Sequence, residues 1–217
     1  MKVGTDGVLL GAWAAGGRRI LDVGTGTGVI ALMLAQRFAD AVVDAVEIDA
    51  DACGQAKENV AASPFAGRVS VHCESVQQWA QHEENSGAYD AIVSNPPFFV
   101  NALRAPAEAR NRARHADTLT FDELFTAVGA MLAPGGEFSV IIPFDFRKHL
   151  ELAAADAGFC LTRECAVRTT PKKHPKRFLL AFRREAPAEV ECTEGLLETT
   201  PGERSGWYQT LTREFYL

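Results

Sequence analysis

Ser94-Asn95-Pro96-Pro97-Phe98-Phe99 brings an amide, two prolines and an aromatic ring together directly behind a hydrophobic run, Ala88 to Ser94. These residue types suit an acceptor nitrogen conjugated to a ring or a carbonyl. Such a nitrogen is a poor nucleophile because its lone pair is delocalised. A site can help by accepting both of its N–H bonds, here through the Asn95 side-chain oxygen and the Pro96 carbonyl, which biases the nitrogen toward a tetrahedral, attacking geometry. Proline supplies rigidity, since φ is locked at about −65° and neither Pro96 nor Pro97 has an N–H to donate. Phe98 would stack on a planar base, a contact worth roughly 1–3 kcal/mol per base. On its own, a strand followed by N-P-P is also an ordinary turn, so its meaning depends on what precedes it.

What precedes it is a glycine loop. Asp22-Val23-Gly24-Thr25-Gly26-Thr27-Gly28 follows one β-rich run and opens a helical one, so three alternating glycines let backbone approach a ligand at a helix N-terminus. A dinucleotide fingerprint requires G-x-G-x-x-G, and Val29 stands where its third glycine belongs. No G-x-x-x-x-G-K-[ST] occurs, which removes a P-loop. Glu47 closes the second β-rich run, where a fixed pair of carboxylate oxygens matches the two hydroxyls of a ribose. Asp49 reads as a helix N-cap.

These groups need a scaffold, and the periodicity predicts one. Strand patterns cover Arg19 to Gly24, Ala41 to Glu47, Arg68 to Cys73, Ala88 to Ser94 and Glu137 to Ile142, and helical patterns cover Val29 to Phe38, Asp51 to Ala62 and Phe121 to Leu132. Strand and helix in alternation mean a parallel α/β sheet. The runs Cys160 to Arg168 and Arg177 to Arg183, separated by the basic turn Pro171 to Pro175, predict a terminal hairpin on that sheet. Glu185 to Ser205 reads as a meandering connection, and Trp207 to Leu217 as a short docking helix or edge element.

Composition narrows the function classes. The 217 residues are 47% hydrophobic and 23% charged, the balance of a globular protein with a buried core, and no apolar run approaches the roughly 18 residues of a bilayer span. Met1 to Gly7 has no signal-peptide core, so a cytoplasmic protein is expected. Cys53, Cys73, Cys160, Cys165 and Cys192 are odd in number and never form C-x-x-C, so neither a disulfide scaffold nor a zinc module fits. A net charge of −6 argues against gripping nucleic acid with the whole surface, but the charge is uneven. Between Arg163 and Arg184 eight basic side chains face one acid, Glu164, and Arg104, Arg110, Arg112 and Arg114 form a second basic cluster behind the N-P-P-F tetrad.

Asp22 to Gly28 resembles motif I of class I S-adenosylmethionine (SAM) methyltransferases, and Ala45-Val46-Glu47-Ile48-Asp49 resembles their acidic motif II. Asn95 to Phe98 resembles the [DNS]-P-P-[YFW] motif of amino methyltransferases acting on adenine N6, cytosine N4 or a glutamine amide. Met1-Lys2-Val3-Gly4-Thr5-Asp6-Gly7 through Trp13, the Arg110 to His115 stretch, His174 to Phe182 and the ending Leu211-Thr212-Arg213-Glu214-Phe215-Tyr216-Leu217 extend the likeness. Nearly the whole chain resembles the tRNA1(Val) (adenine-N6)-methyltransferase family.

That resemblance implies a class I, Rossmann-like α/β fold: a mostly parallel seven-stranded sheet with helices on both faces and a C-terminal antiparallel hairpin. It implies one methyltransferase domain over 1–217, with 1–18 as a motif X segment, 19–184 as the core and 185–217 as an extension. SAM would be the methyl donor and S-adenosylhomocysteine the product, with no metal. Catalytic roles fall to Asn95, Pro96, Pro97 and Phe98, and cofactor binding to Thr5, Asp6, Gly7, Asp22, Gly24, Gly26, Gly28, Glu47 and Ser75. The substrate implied is the adenosine immediately 3′ of a tRNA anticodon, held by Arg104, Arg110, Arg112, Arg114, Lys172, Lys173, Lys176 and Arg177, with no membrane and no obligate protein partner. Three departures stand out. Phe98 replaces the commoner tyrosine, Ser75 with Glu74 beside it replaces the usual acid at the adenine, and the family's few dozen residues ahead of Met1 are shortened or differently started. A release-factor glutamine methyltransferase shares N-P-P-[YF] but usually carries a helical domain ahead of its glycine loop. A non-catalytic RNA-binding relative would have no need of the intact loop and tetrad.

Overall fold

The computed structural model describes residues 4–96 and 119–215. Strand β1 (Arg19–Val23) leads into helix α2 (Val29–Arg37), β2 (Val42–Val46) into α3 (Ala50–Ala61), and β3 (Val69–His72) into the single-turn α4 (Val76–Trp79) before β4 (Tyr89–Ser94). Helix α1 (Thr5–Trp13) precedes them. Then come α5 (Phe121–Met131), β5 (Leu132–Pro143), α6 (Arg147–Asp156), β6 (Cys160–Arg168), β7 (Arg177–Arg183), β8 (Glu191–Leu196), a small ribbon of β9 (Glu198–Thr200) and β10 (Glu203–Arg204), and α7 (Gly206–Thr212).

The sheet order is β3-β2-β1-β4-β5-β7-β6-β8, parallel from β3 to β5, with β7 antiparallel to both β5 and β6. The expected class I arrangement and its terminal hairpin are both present. An eighth strand is added: Glu191–Leu196, expected as part of a connection, pairs in parallel with β6. Its sequence, Glu-Cys-Thr-Glu-Gly-Leu, has neither alternation nor β-branched enrichment to announce a strand. Pairing there is driven by the open backbone edge that β6 would otherwise leave.

Alternate residues of the central strands face opposite cores. Leu21, Val23, Ile92, Phe138, Val140, Leu180 and Phe182 pack under α4, α5 and α6. Ile20, Val43, Val93, Ile141 and Leu179 pack under α1, α2, α3 and α7. Strands covered on both faces read as continuous apolar runs, which is why they were legible. Thr5 to Gly7 form the first turn of α1. At Thr120, the T-x-x-E spacing to Glu123 closes a capping box that starts α5.

The cysteines show one pairing that spacing did not reveal. Cys53 on α3 and Cys73 after β3 are joined, with their Cα atoms 5.7 Å apart, because α3 packs back against β3. This is a single cross-link inside an α/β core. Among the described residues Cys160, Cys165 and Cys192 are free.

Phe125 is wholly buried at the centre of the second layer, edge-on to Phe138 at 5.3 Å and to Phe182 at 5.4 Å between ring centroids. Truncation would leave a cavity that these two rings and Phe159, 5.4 Å away on another side, are too rigid to fill. Phe125→Ala is therefore expected to lower the unfolding free energy by about 3–5 kcal/mol, measured by urea denaturation.

Candidate active site

Five parallel strands meet one rung of the sheet. Val23 lies opposite both Val46 and Ser94, Val46 lies opposite His72, and Ser94 lies opposite Val140. One residue further, Gly24, Glu47, Cys73 and Asn95 leave the sheet side by side, on strands about 4.8 Å apart. The strand order turns back between β1 and β4, so Gly24 and Asn95 flank the switch point where open α/β sheets bind ligands. The Ser94 hydroxyl donates to the Val23 carbonyl at 3.0 Å and pins the two strand ends together.

The glycine loop needs its glycines. Gly24, Gly26 and Gly28 adopt φ of +69°, +58° and +83°, a region that side-chain-bearing residues rarely enter. A Cβ on Gly28 would meet Ala56 at 3.5 Å, where α2 and α3 approach each other, whereas one on Gly24 would meet nothing within 4 Å. Beneath the loop Asp22 is fully buried. Its Oδ2 accepts the Thr25 hydroxyl at 2.6 Å and the Ala31 N–H at 3.1 Å, holding the loop against the first turn of α2. The other oxygen, Oδ1, has no partner among the described residues. Burial pushes the Asp22 carboxyl up to about 7, against the pull of Thr25 and Ala31 and with a further push from the Glu47 charge.

Above this loop lies a cleft of about 1170 Å³. Thr5, Asp6, Gly7 and Arg177 line one end, Glu47, Ile48 and Glu74 to Gln78 the other, and Asn95, Pro96 and Leu119 the side toward β4. Glu47 is clamped across two loops: Oε2 accepts the Gly26 N–H at 2.8 Å and Oε1 the Asp49 N–H at 3.0 Å. Both oxygens keep a second lone pair for hydroxyl donors. Asp49 caps α3 by accepting the Ala52 N–H at 2.8 Å. Ser75 caps α4, accepting the Gln78 N–H at 3.2 Å and donating to Gln78 Oε1 at 2.8 Å. Asn95 is half-buried, and its side-chain amide has no hydrogen-bond partner among the described residues.

Among the sequence-derived candidates, Thr5, Asp6, Gly7, Gly24, Gly26, Glu47, Ser75, Asn95 and Pro96 share this one cleft. Asp22 and Gly28 support it from below and behind. Pro97, Phe98, Arg104, Arg110, Arg112 and Arg114 lie outside the described residues. Lys172, Lys173 and Lys176 are exposed on the β6–β7 turn, which stands at the same edge of the sheet because β7 begins opposite the end of β5. Arg177, grouped with them as an RNA contact, points elsewhere: its Nε donates to Asp6 Oδ2 at 2.7 Å inside the cleft. Ile48 is a wall residue that sequence reasoning missed. It is 57% exposed, and an apolar residue directly after the acidic Glu47 was its only signal.

A family model described as the methyltransferase small domain matches residues 4–155. A Parabacteroides distasonis protein named tRNA1(Val) (adenine(37)-N6)-methyltransferase is 45% identical over 219 residues, covering 100% of this chain and 91% of that protein. The chain belongs to the tRNA1(Val) (adenine-N6)-methyltransferase family. Solved structures share the fold of this family member at lower identity. A predicted O-methyltransferase from Agrobacterium tumefaciens matches with a TM-score of 0.74 at 18% identity over 96% of both chains. Geranyl diphosphate methyltransferase in complex with SAM matches with a TM-score of 0.57 at 13% identity, over 82% of this chain and 83% of that one. The site suits the nucleoside cofactor of such a fold, because Gly24 leaves open the space a Cβ would occupy and Glu47 presents two oriented acceptors.

Asp22 gives this family member a pH signature. An ordinary carboxyl at 3.8 becomes one at about 7 on folding, so folded protein holds a proton that the unfolded chain has lost. Stability from this group is complete below pH 3.8 and is lost as pH rises through 7, a change on the order of 4 kcal/mol. Asp22→Asn keeps an acceptor for Thr25 and Ala31 and removes the ionisation. Its stability relative to wild type should therefore rise between pH 5 and pH 8 by on the order of 2–3 kcal/mol in urea unfolding. A pH-independent difference would show that Asp22 does not titrate in this range.

Proposed function

We propose that this chain transfers the methyl group of SAM to the exocyclic N6 of an adenosine in tRNA, at the position immediately 3′ of the anticodon of tRNA1(Val). The observation that carries this reading is that Asn95, whose side-chain amide has no hydrogen-bond partner among the described residues, and the glycine loop leave neighbouring strands on one rung. The relatives' name, at 45% identity over the whole chain, supports the same substrate.

SAM supplies an electrophilic methyl on a sulfonium and leaves as S-adenosylhomocysteine. Everything else falls to the chain's own residues. Glu47 orients the ribose, and the Asp6–Arg177 pair offers both charges to the amino-acid end. The Asn95 side-chain oxygen and the Pro96 carbonyl accept the two N6 hydrogens, drawing the lone pair out of the ring and onto the nitrogen. Phe98 stacks the base once it has been turned out of its loop. No base of high pKa is needed, because the nitrogen sheds its surplus proton after the C–N bond forms. No metal takes part in this scheme, and a tRNA substrate places the work in the cytoplasm. In the described residues no helix is long and apolar enough to cross a membrane.

Transfer of labelled methyl from SAM to total tRNA, followed by nucleoside analysis, tests the reading directly. Label in N6-methyladenosine is expected, whereas label only in the glutamine of a release factor, or none, overturns it. Asn95→Ala is expected to lower kcat about 100-fold and leave SAM affinity within a few-fold, because its hydrogen bond matters most as charge develops on nitrogen. Rapid-quench kinetics beside calorimetry would separate the two effects.

An acidic protein must hold RNA by local patches, since phosphate contacts act through counterion release. Lys172, Lys173 and Lys176 stand exposed at the cleft edge. Neutralising all three should weaken tRNA binding and reduce its salt slope by roughly 0.7–0.9 per lost phosphate contact. SAM affinity should stay unchanged, since none of the three lines the cleft. Filter binding across a salt series reads both quantities.

A further inference from the structure

Strand β5 continues past the rung on which Gly24 and Asn95 leave the sheet. Val140 is opposite Ser94, so Phe144 stands three residues beyond the level of Asn95, about 10 Å further along and one strand over. It opens a 3-10 turn, Phe144–Phe146, at the same edge as the cleft. Its side chain is 54% exposed, while the other large apolar side chains this exposed among the described residues, Val42, Ile48 and Leu152, are aliphatic.

The ring is propped rather than loose. It lies 5.9 Å from the buried Phe178 ring at an interplanar angle of 35°, and Phe178 in turn carries the Arg147 guanidinium 4.4 Å from its centroid. The Phe144 N–H donates to the Lys176 carbonyl at 3.1 Å, which fixes the ring beside the basic turn. Lys172, Lys173 and Lys176 are exposed there, and the neighbouring carboxylate is Asp145, also exposed. A rigid aromatic face with cations to one side is the combination that binds single-stranded nucleic acid: the base stacks and the lysines meet phosphates. An aliphatic docking surface for protein would need a wider apolar patch than one ring among charges.

We propose that Phe144 is a stacking platform for a nucleobase adjacent to the methylated adenosine, holding the tRNA loop open while the target base occupies the cleft. This rests on the tRNA reading above. It assigns Phe144 a positioning role, distinct from the stacking of the target base itself.

The test compares Phe144→Ala, Phe144→Leu and Phe144→Trp in the full chain, on the tRNA transcript that the wild type methylates. Alanine and leucine should raise KM for tRNA about tenfold or more, tryptophan should stay within about twofold, and all three should keep wild-type SAM affinity and melting temperature. In a transcript carrying 2-aminopurine beside the target adenosine, wild type and the tryptophan variant should quench its fluorescence and the leucine variant should not. If leucine matches wild type in KM and quenching, the ring is only apolar cover and the inference fails while the function stands. If wild type leaves tRNA unmethylated, the functional reading itself fails, and this inference with it.

Discussion

A single buried carboxylate sets the geometry on which the site depends. Asp22 sits in the strand end just before three glycines in left-handed conformations, and one of its oxygens ties Thr25 in the loop to Ala31 in the following helix. Without that tie the loop would have to be held by its own backbone, and glycine-rich backbone resists disorder poorly. The arrangement carries a cost, since burial raises the carboxyl to about 7 and leaves Oδ1 unpartnered among the described residues. Strained or underpaired groups persist where the surrounding structure over-determines them, and here helix α2 and the flanking strands β2 and β4 do so. The same loop donates the Gly26 N–H to Glu47, so the position of the acidic residue just beyond β2 follows from the fold of the loop after β1.

From this anchor the rest of the cleft is a matter of register. Parallel strands bring residues to one edge at one level, and the Ser94–Val23 hydrogen bond keeps β4 level with β1. The glycine loop and Asn95 thereby become neighbours although they lie far apart along the chain. The terminal hairpin closes the same edge from the other side. Arg177, the first residue of its second strand β7, reaches across to Asp6 in α1 and joins the N-terminal segment to the base of the lysine-bearing turn. A perturbation of that turn is therefore mechanically connected to the part of the cleft lined by Thr5, Asp6 and Gly7 through one ion pair of 2.7 Å.

The electrostatics separate along the same lines. A net charge of −6 is spread over the molecule, yet the lysines of the β6–β7 turn are exposed while the arginines around them are committed. Arg163 and Arg183 converge on the buried Glu137, and Arg147 bridges Glu151 and Glu164. A count of basic residues along 163–184 overstates the cations available to a partner. The useful ones are those that secondary structure leaves on a turn.

The N-P-P-F tetrad, the glycine loop, Glu47 and the alternation of strand and helix were all legible in the amino-acid sequence. Each is a local signal: backbone freedom at glycine, rigidity at proline, and apolar runs in strands covered on both faces. The family resemblance was legible for the same reason, since it rests on motifs of consecutive residues. Tertiary structure alone decided the features that depend on partners distant in sequence. Arg177 pairs with Asp6 inside the cleft, Cys53 meets Cys73 across a helix–strand contact, Glu191–Leu196 becomes a strand because β6 has an open edge, and Phe144 is left exposed against Phe178. Sequence spacing carries no information about which faces come together after the chain crosses the sheet, and a charged or aromatic side chain takes its role from whatever lies opposite it.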